Sequence, residues 1–191
     1  VSGLDTRRAE AAVRRRLNGK RLDHTLAVRQ FAVRLARIHA VPVDKVEIAA
    51  LLHDWAKGAA PEELPRLAEA GAVEVDEETL AMPPLHHAYL SAYWIEEEFG
   101  VHDPEILEAV RHHSTGSPGL GPVGRVVFVA DYAEPGRKLR QTDAIRAVAE
   151  EDLDEAVRRV LQNKLTYLIG RGRPIHRRAW LFWNALMEGA R

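Results

Sequence analysis

The stretch DKVEIAALLHDWAK, residues 44–57, decides the fold. Its middle is almost wholly apolar, so it reads as a central, buried helix, with Asp44 placed to cap its start and Gly58 to end it. Inside that apolar run stands the adjacent pair His53-Asp54. Neighbouring residues on a helix point about 100° apart, so the two cannot share a stripe, yet both can reach one point beside the helix. An ionisable pair in such surroundings is costly unless something satisfies it. A metal ion would do so, and so would a hydrogen bond between the two in the core. The pair alone leaves both readings open.

Working outward, nearly every segment reads as helix. Residues 22–39 carry Leu26, Phe31, Val33, Leu35 and Ile38 on a broad apolar stripe, and Pro42 separates them from the central helix. Shorter helices are expected over 61–70 and 75–82. Pro83 and Pro84 are expected to break the chain before a helix over 86–99 that Gly100 stops. Asp103 and Pro104 open a further helix to about His113. STGSPGLGP, residues 114–122, is the loop richest in turn formers. The run VGRVVFVADYAEP that follows is too short for periodicity to decide. Helix is preferred because no second strand is visible to pair with it. Helices over 142–150, 152–169 and 177–188 finish the chain. The expectation is one all-α domain over 1–191, a helical bundle with its core in 21–135 and the helices of 142–188 completing it.

Composition bounds the chemistry. At 191 residues the chain can bury a full core without a staple, and 46% hydrophobic with 29% charged residues is a globular balance. Twenty-seven Lys and Arg against 28 Asp and Glu give a net charge of -1, which argues against a uniformly basic surface for nucleic acid or anionic membranes. With no cysteine, a disulfide scaffold, a thiolate zinc site and a cysteine nucleophile are excluded. The lack of cysteine is compatible with a reducing cytoplasm, which is the expected location. No apolar run approaches the length of a membrane span, and VSGLDTRRAE at the start lacks a signal-peptide core. Phosphate-loop, HExxH and GxSxG motifs are missing, as is the acidic Nudix signature. The nine histidines stand out, because histidine is the commonest metal ligand.

Several of these histidines face inward. His24 shares a face with Val28, Phe31 and Leu35, and His113 with Ile106 and Val110. His112 shares a face with Glu105 and Glu108 and is expected in solvent. Asp131 follows Val127 and Phe128 on an inward face. Near the start of its helix His87 competes with His86, and periodicity does not choose between them. Three or four inward histidines with two inward aspartates, on five helices, are hard to explain as packing, since buried polar groups are few and paired. Such a set suits two metal ions, with the central Asp54 as bridge. Imidazole and carboxylate without sulfur favour iron, manganese, magnesium or zinc over copper(I). A water bridging two metals becomes a hydroxide nucleophile at neutral pH, and the same metals clamp a phosphoryl oxygen.

The order His24, His53-Asp54, His87, His113, Asp131 resembles the HD-domain superfamily of metal-dependent phosphohydrolases. LLHDWAKG, PLHHAYLSAYW, AVRHHSTGSPG, VVFVADYAEPGR and GRGRPIHRRAW resemble more closely its YqeK-type branch of symmetrical diadenosine tetraphosphate hydrolases, over about 21–187. The resemblance implies a dinuclear helical bundle that cleaves a dinucleoside polyphosphate to two ADP by attack of a metal-bridging hydroxide. It implies His24, His53, Asp54, His87, His113 and Asp131 as ligands, and favours His87 over His86. His24, His53 and Asp131 would complete one metal, and His87 and His113 the other. The metals would be two divalent ions, iron first, with manganese, cobalt or zinc as alternatives.

In the same way Lys57 and Arg137 are implied as phosphate clamps beside catalytic Asp54. His24, His113 and Asp131, with Ser114, Thr115 and Gly116, would meet the substrate. Ser114 stands where the family more often has Thr directly after the histidine. Gly170–His176, including Arg173 and His176, would lie near the adenosine.

Other signals read plainly. Arg171, Arg173, Arg177 and Arg178 form a basic cluster, taken as solvated surface with some steering of anions. Trp55, Trp180, Phe182 and Trp183 are expected in the core. His39 and His102 default to the surface, as does His176 outside its nucleotide role. Two readings compete: an HD-type nucleotidase or phosphodiesterase on another nucleotide, and a ribosome- or RNA-associated module keeping a structural metal. A homodimer stays open.

Overall fold

The computed structural model describes residues 5–138 and 141–189; the domain expected over 1–191 reaches past these at both ends, as does the reading of residues 1–4. Among the described residues there are eleven helices and no strand. Helix α1 (Thr6–Arg16) is followed by α2 (Gly19–Ile38), α3 (Val43–Leu52), α4 (Glu63–Glu69), α5 (Glu77–Leu80) and α6 (Pro83–Phe99). Then come α7 (Pro104–His112), α8 (Pro122–Ala133), α9 (Thr142–Glu151), α10 (Leu153–Gly170) and α11 (Arg177–Glu188). The all-α expectation holds. The ambiguous run after the 114–122 loop is α8, buried at Val126, Val127, Phe128, Val129 and Ala130, so no face-to-face contrast was there for periodicity to read.

Helices α3 and α8 pack on each other and each on α2 and α7, α6 lies on α7, and α10 covers α8, α9 and α11. The fully buried side chains include Leu35, Leu51, Leu52, Phe128 and Phe182, the last two in an edge-on contact at 5.9 Å. No described helix is long and apolar enough to cross a membrane.

Several expectations need correction. The central helix stops at Leu52, and His53–Gly58 form tight turns with Trp55 N donating to Leu52 O and Lys57 N to Asp54 O. The cause is side-chain competition. His53 Nδ1 engages Ala50 O at 2.8 Å, and Ala56 N donates to buried Ser91 Oγ at 2.9 Å instead of continuing the helix. Gly58 then turns the chain at φ +93, and Arg21 Nη1 donates to Lys57 O beside it.

Asp44 lies inside the first turn of α3, after Pro42 as N-cap, where its charge still opposes the helix dipole. Pro83 and Pro84 open α6 rather than precede it, because a missing N–H is no loss in a first turn. No helix is expected over 6–16 from the sequence, yet one is present there. α1 has Asp5 as cap and buries Ala9, Ala12 and Val13 against α3, a face too small to stand out among its arginines.

His112 is buried, not solvated, with its ring edge-on to Tyr89, since packing of α6 over α7 covers that face. His176 is also buried, as the N-cap of α11, with Nε2 3.0 Å from Thr79 Oγ1. Trp180 is 47% exposed, whereas Phe182 carries the anchoring expected of both. Trp55 is buried under the guanidinium of Arg16 at 4.3 Å.

Burial leaves its mark on His112. It pushes the pKa down to about 3, with Arg178 and Arg111 adding repulsion. Between pH 6.5 and 3 the unfolded chain therefore takes up a proton that the folded chain refuses. The stability tied to this group is complete above pH 6.5 and is lost as pH falls through that window. The expected result is that His112→Phe flattens the loss of stability between pH 7 and pH 5, by at most about 1.4 kcal/mol per pH unit. Urea unfolding of both proteins without added metal, at the two pH values, checks this. Identical slopes would contradict it.

Candidate metal centre

Five helices deliver six polar side chains to one point. His24 comes from α2, His53 and Asp54 from the turn after α3, His87 from α6, His113 from the end of α7 and Asp131 from α8. His24, His53 and Asp131 form one group whose ligand atoms lie within 4.8 Å of one another; His53, Asp54 and His113 form a second. The two groups share His53. His87 adjoins the second, with Nε2 3.2 Å from both Asp54 Oδ1 and His113 Nε2.

The imidazoles are oriented for metal. His53, His87 and His113 each place Nδ1 on the carbonyl three residues back, Ala50 O at 2.8 Å, Pro84 O at 2.9 Å and Val110 O at 2.7 Å. A carbonyl accepts only, so each Nδ1 carries the proton and each Nε2 turns a lone pair to the centre. His53 Nε2 is buried with no hydrogen-bond partner. It stands 3.7 Å from Asp54 Oδ2 and 3.8 Å from Asp131 Oδ1. A buried lone pair with carboxylates around it and nothing to accept from is satisfied by a cation. The donor set of nitrogen and oxygen fits a divalent ion.

Electrostatics agree. Burial acts to raise the pKa of Asp54, but His53, His113 and His87 outweigh it and hold the carboxyl far below the usual range. Asp131 is likewise held low, against its burial, chiefly by the hydrogen bond from His24. Burial lowers His113 to about 4, so it is neutral at pH 7 and free to ligate. His24 differs. Burial opposes its charged form, yet the contacts to Asp131 and Glu134 raise its pKa.

Around the six sit the residues expected to meet phosphate. Lys57 Nζ lies 3.1 Å from His87 Nε2 and 3.4 Å from Asp54 Oδ1. Arg137 Nη2 lies 3.4 Å from Asp131 Oδ1. Ser114 Oγ is 3.2 Å from His113 Nε2 and 3.4 Å from His87 Nε2. Thr115 turns its hydroxyl onto Gly116 O at 2.9 Å, away from the centre. Gly116, at φ +70, lies directly under Phe182, which leaves no room for a Cβ. Of this loop, Ser114 alone is brought to the centre.

Arg173 and His176 line a mainly apolar groove of about 370 Å³, with Met82, Leu85, Tyr167 and Leu168, that also reaches Ser114. His86, the competitor of His87, is turned away onto Pro61 O and Leu80 O.

Two residues of the centre escaped the sequence reading. Glu134, quoted only as part of a motif, is buried, and its Oε1 lies 3.3 Å from His24 Nδ1 while its other oxygen accepts from Gly136 N. It fixes the imidazole from behind. The adjoining Pro135 was the signal that the segment was structured, but nothing in spacing linked it to His24. Lys164 on α10 donates to His113 O at 3.2 Å and Ser114 O at 3.0 Å, and burial lowers its pKa to about 8.

Fold and site together define a helical bundle built around a histidine–aspartate metal centre. The HD domain family matches residues 21–136, and this chain belongs to it. Over 190 residues it is 34% identical to the symmetrical bis(5'-nucleosyl)-tetraphosphatase of Bacillus subtilis (strain 168), covering 98% of this chain and 100% of that protein. To the protein of the same name from Halalkalibacterium halodurans it is 32% identical over 175 residues, covering 92% and 93%. A crystal structure at 1.50 Å resolution, of a predicted HD superfamily hydrolase involved in NAD metabolism from Clostridium acetobutylicum, superposes with a TM-score of 0.91 at 28% identity. The overlap covers 97% of this chain and 98% of that one.

Proposed function

We propose that this chain is a metal-dependent hydrolase that cleaves diadenosine tetraphosphate at the middle of its phosphate chain, water adding to give two ADP. The observation that carries the reading is the buried, partnerless Nε2 of His53 between two ionised carboxylates, in a centre where three other imidazoles converge. The names of relatives similar over nearly their whole length supply the substrate. His24, His53, Asp54, His87, His113 and Asp131 would hold two divalent ions, iron first. When bound, such ions supply a nucleophilic water at neutral pH and neutralise phosphoryl charge.

The chain's own groups do the rest. Lys57 stands beside Asp54 and Arg137 beside Asp131, where their charges oppose the negative charge that builds on the transferred phosphoryl oxygens. Ser114 offers a hydroxyl to the same oxygens. Glu134 keeps the His24 ring in place. The groove lined by Tyr167, Arg173 and His176 takes one adenosine. Helices α9–α11, beyond the matched residues, complete the same domain: α9 and α10 pack on α8, α11 packs on α10, and α10 lines one side of that groove. A cytoplasmic location is part of the same proposal, and a nucleotide substrate and a chain without cysteine are compatible with it.

The test is product analysis. Metal-loaded protein given diadenosine tetraphosphate is expected to yield ADP alone on chromatography. ATP with AMP would refute symmetrical cleavage. Bound metal without turnover would move the site to another nucleotide or to a structural role.

A further inference from the structure

We infer that Lys164 is a further binding residue for the substrate's phosphate chain, placed where that chain leaves the metal centre for the apolar groove. The inference rests on the proposed hydrolase reading, and it starts from a part-buried ammonium that makes no ion pair among the described residues. Lys164 Nζ is part-buried, with the ring of Phe128 4.3 Å away on one side. Its hydrogen bonds go to two main-chain carbonyls, His113 O and Ser114 O. Among the described residues no carboxylate comes within ion-pair distance of it. By contrast Lys45 pairs with Asp103 and Glu105, and Lys57 with Asp54. A sequestered ammonium is costly without a counter-charge. Two accepting carbonyls leave one of its three N–H groups unspent.

Position says what the counter-charge is. Ser114 ties the two sites together, with its hydroxyl beside His87 and His113, its carbonyl on Lys164, and both residues in the groove wall. Any ligand that joins a phosphoryl group at the metals to a nucleoside in the groove passes this seam. A polyphosphate there meets the ammonium of Lys164 directly. The residue lies on α10, outside the span matched by the HD domain.

A bland alternative makes Lys164 only a clamp on the carbonyl end of α7, and two variants separate the ideas. Gln at 164 keeps an N–H donor for those carbonyls but has no charge, while Arg keeps both. With metal-loaded protein, calorimetry is expected to show ADP bound ~10–100-fold more weakly by Lys164→Gln, the worth of a charge-assisted hydrogen bond. Lys164→Arg should stay within a few-fold of wild type, with adenosine affinity and metal content unchanged in both. In the unmutated protein ADP, and not adenosine, should shield Lys164 from amine acetylation, read by mass spectrometry.

Wild-type ADP affinity in Lys164→Gln, equal weakness in Lys164→Arg, loss of metal, or no shielding would each overturn the inference. If diadenosine tetraphosphate is not turned over while ADP still binds through Lys164, the hydrolase reading fails alone. If turnover is normal and ADP affinity is unmoved by Lys164→Gln, the Lys164 inference fails alone.

Discussion

Asp54→Ala is expected to lose its bound metal and its turnover together. One oxygen of this carboxylate lies 3.2 Å from His87 Nε2, 3.5 Å from His113 Nε2 and 3.4 Å from Lys57 Nζ, and the other 3.7 Å from His53 Nε2. Without it, three imidazole lone pairs and an ammonium are left around a space with no negative charge nearer than Asp131. The drop in turnover should be at least ~1000-fold, since removal of a single neutral donor from a preorganised site already costs about 10²–10³. Metal analysis beside steady-state kinetics checks both halves. Wild-type turnover in this variant would remove Asp54 from the mechanism. The helices should persist, because the carboxylate sits in a turn and not in the packing between α3, α7 and α8.

Lys57→Met is expected to separate catalysis from metal binding. Lys57 is exposed, and its ammonium reaches the centre from the rim, 3.1 Å from His87 Nε2. As a cation it cannot be a ligand, so metal content should stay at the wild-type level. Its charge is available to the phosphoryl group as negative charge develops, so kcat should fall by about 10²–10³ with a smaller change in KM. A fall in metal content with unchanged kcat per metal would show instead that Lys57 only holds His87 and Asp54 in place.

Much of this was legible in the chain because helical punctuation is local. Gly100 in the left-handed conformation and the Asp103 cap with Pro104 sit where their chemistry puts them, and the loop from residue 114 ends at Gly121, with Pro122 opening α8. The inward face of His24 followed from Val28, Phe31 and Leu35, and that of His113 from Ile106 and Val110. What the sequence could not carry was competition and coverage. The central helix ends at Leu52 because His53 and Ser91 take over backbone partners, and Ser91 lies on another helix. His112 shares a face with two glutamates, yet α6 lies across it. Glu134 and Lys164 act on His24 and His113 from 110 and 51 residues away. No local period records a contact of that kind. The choice between His86 and His87 was also beyond periodicity. It becomes visible once His86 is seen bonded to two carbonyls at the far side of α6.

The most direct test of the central claim is a metal titration followed by its product. Protein stripped of metal and kept anaerobic is given ferrous iron, or manganese or cobalt in parallel, in fractions of an equivalent, and ADP release from diadenosine tetraphosphate is measured at each step. Two ions held by His24, His53, Asp54, His87, His113 and Asp131 predict activity that rises to a plateau at about two equivalents per chain, with ADP as sole product. Full activity in the stripped protein, or a plateau at one equivalent, would contradict the dinuclear account.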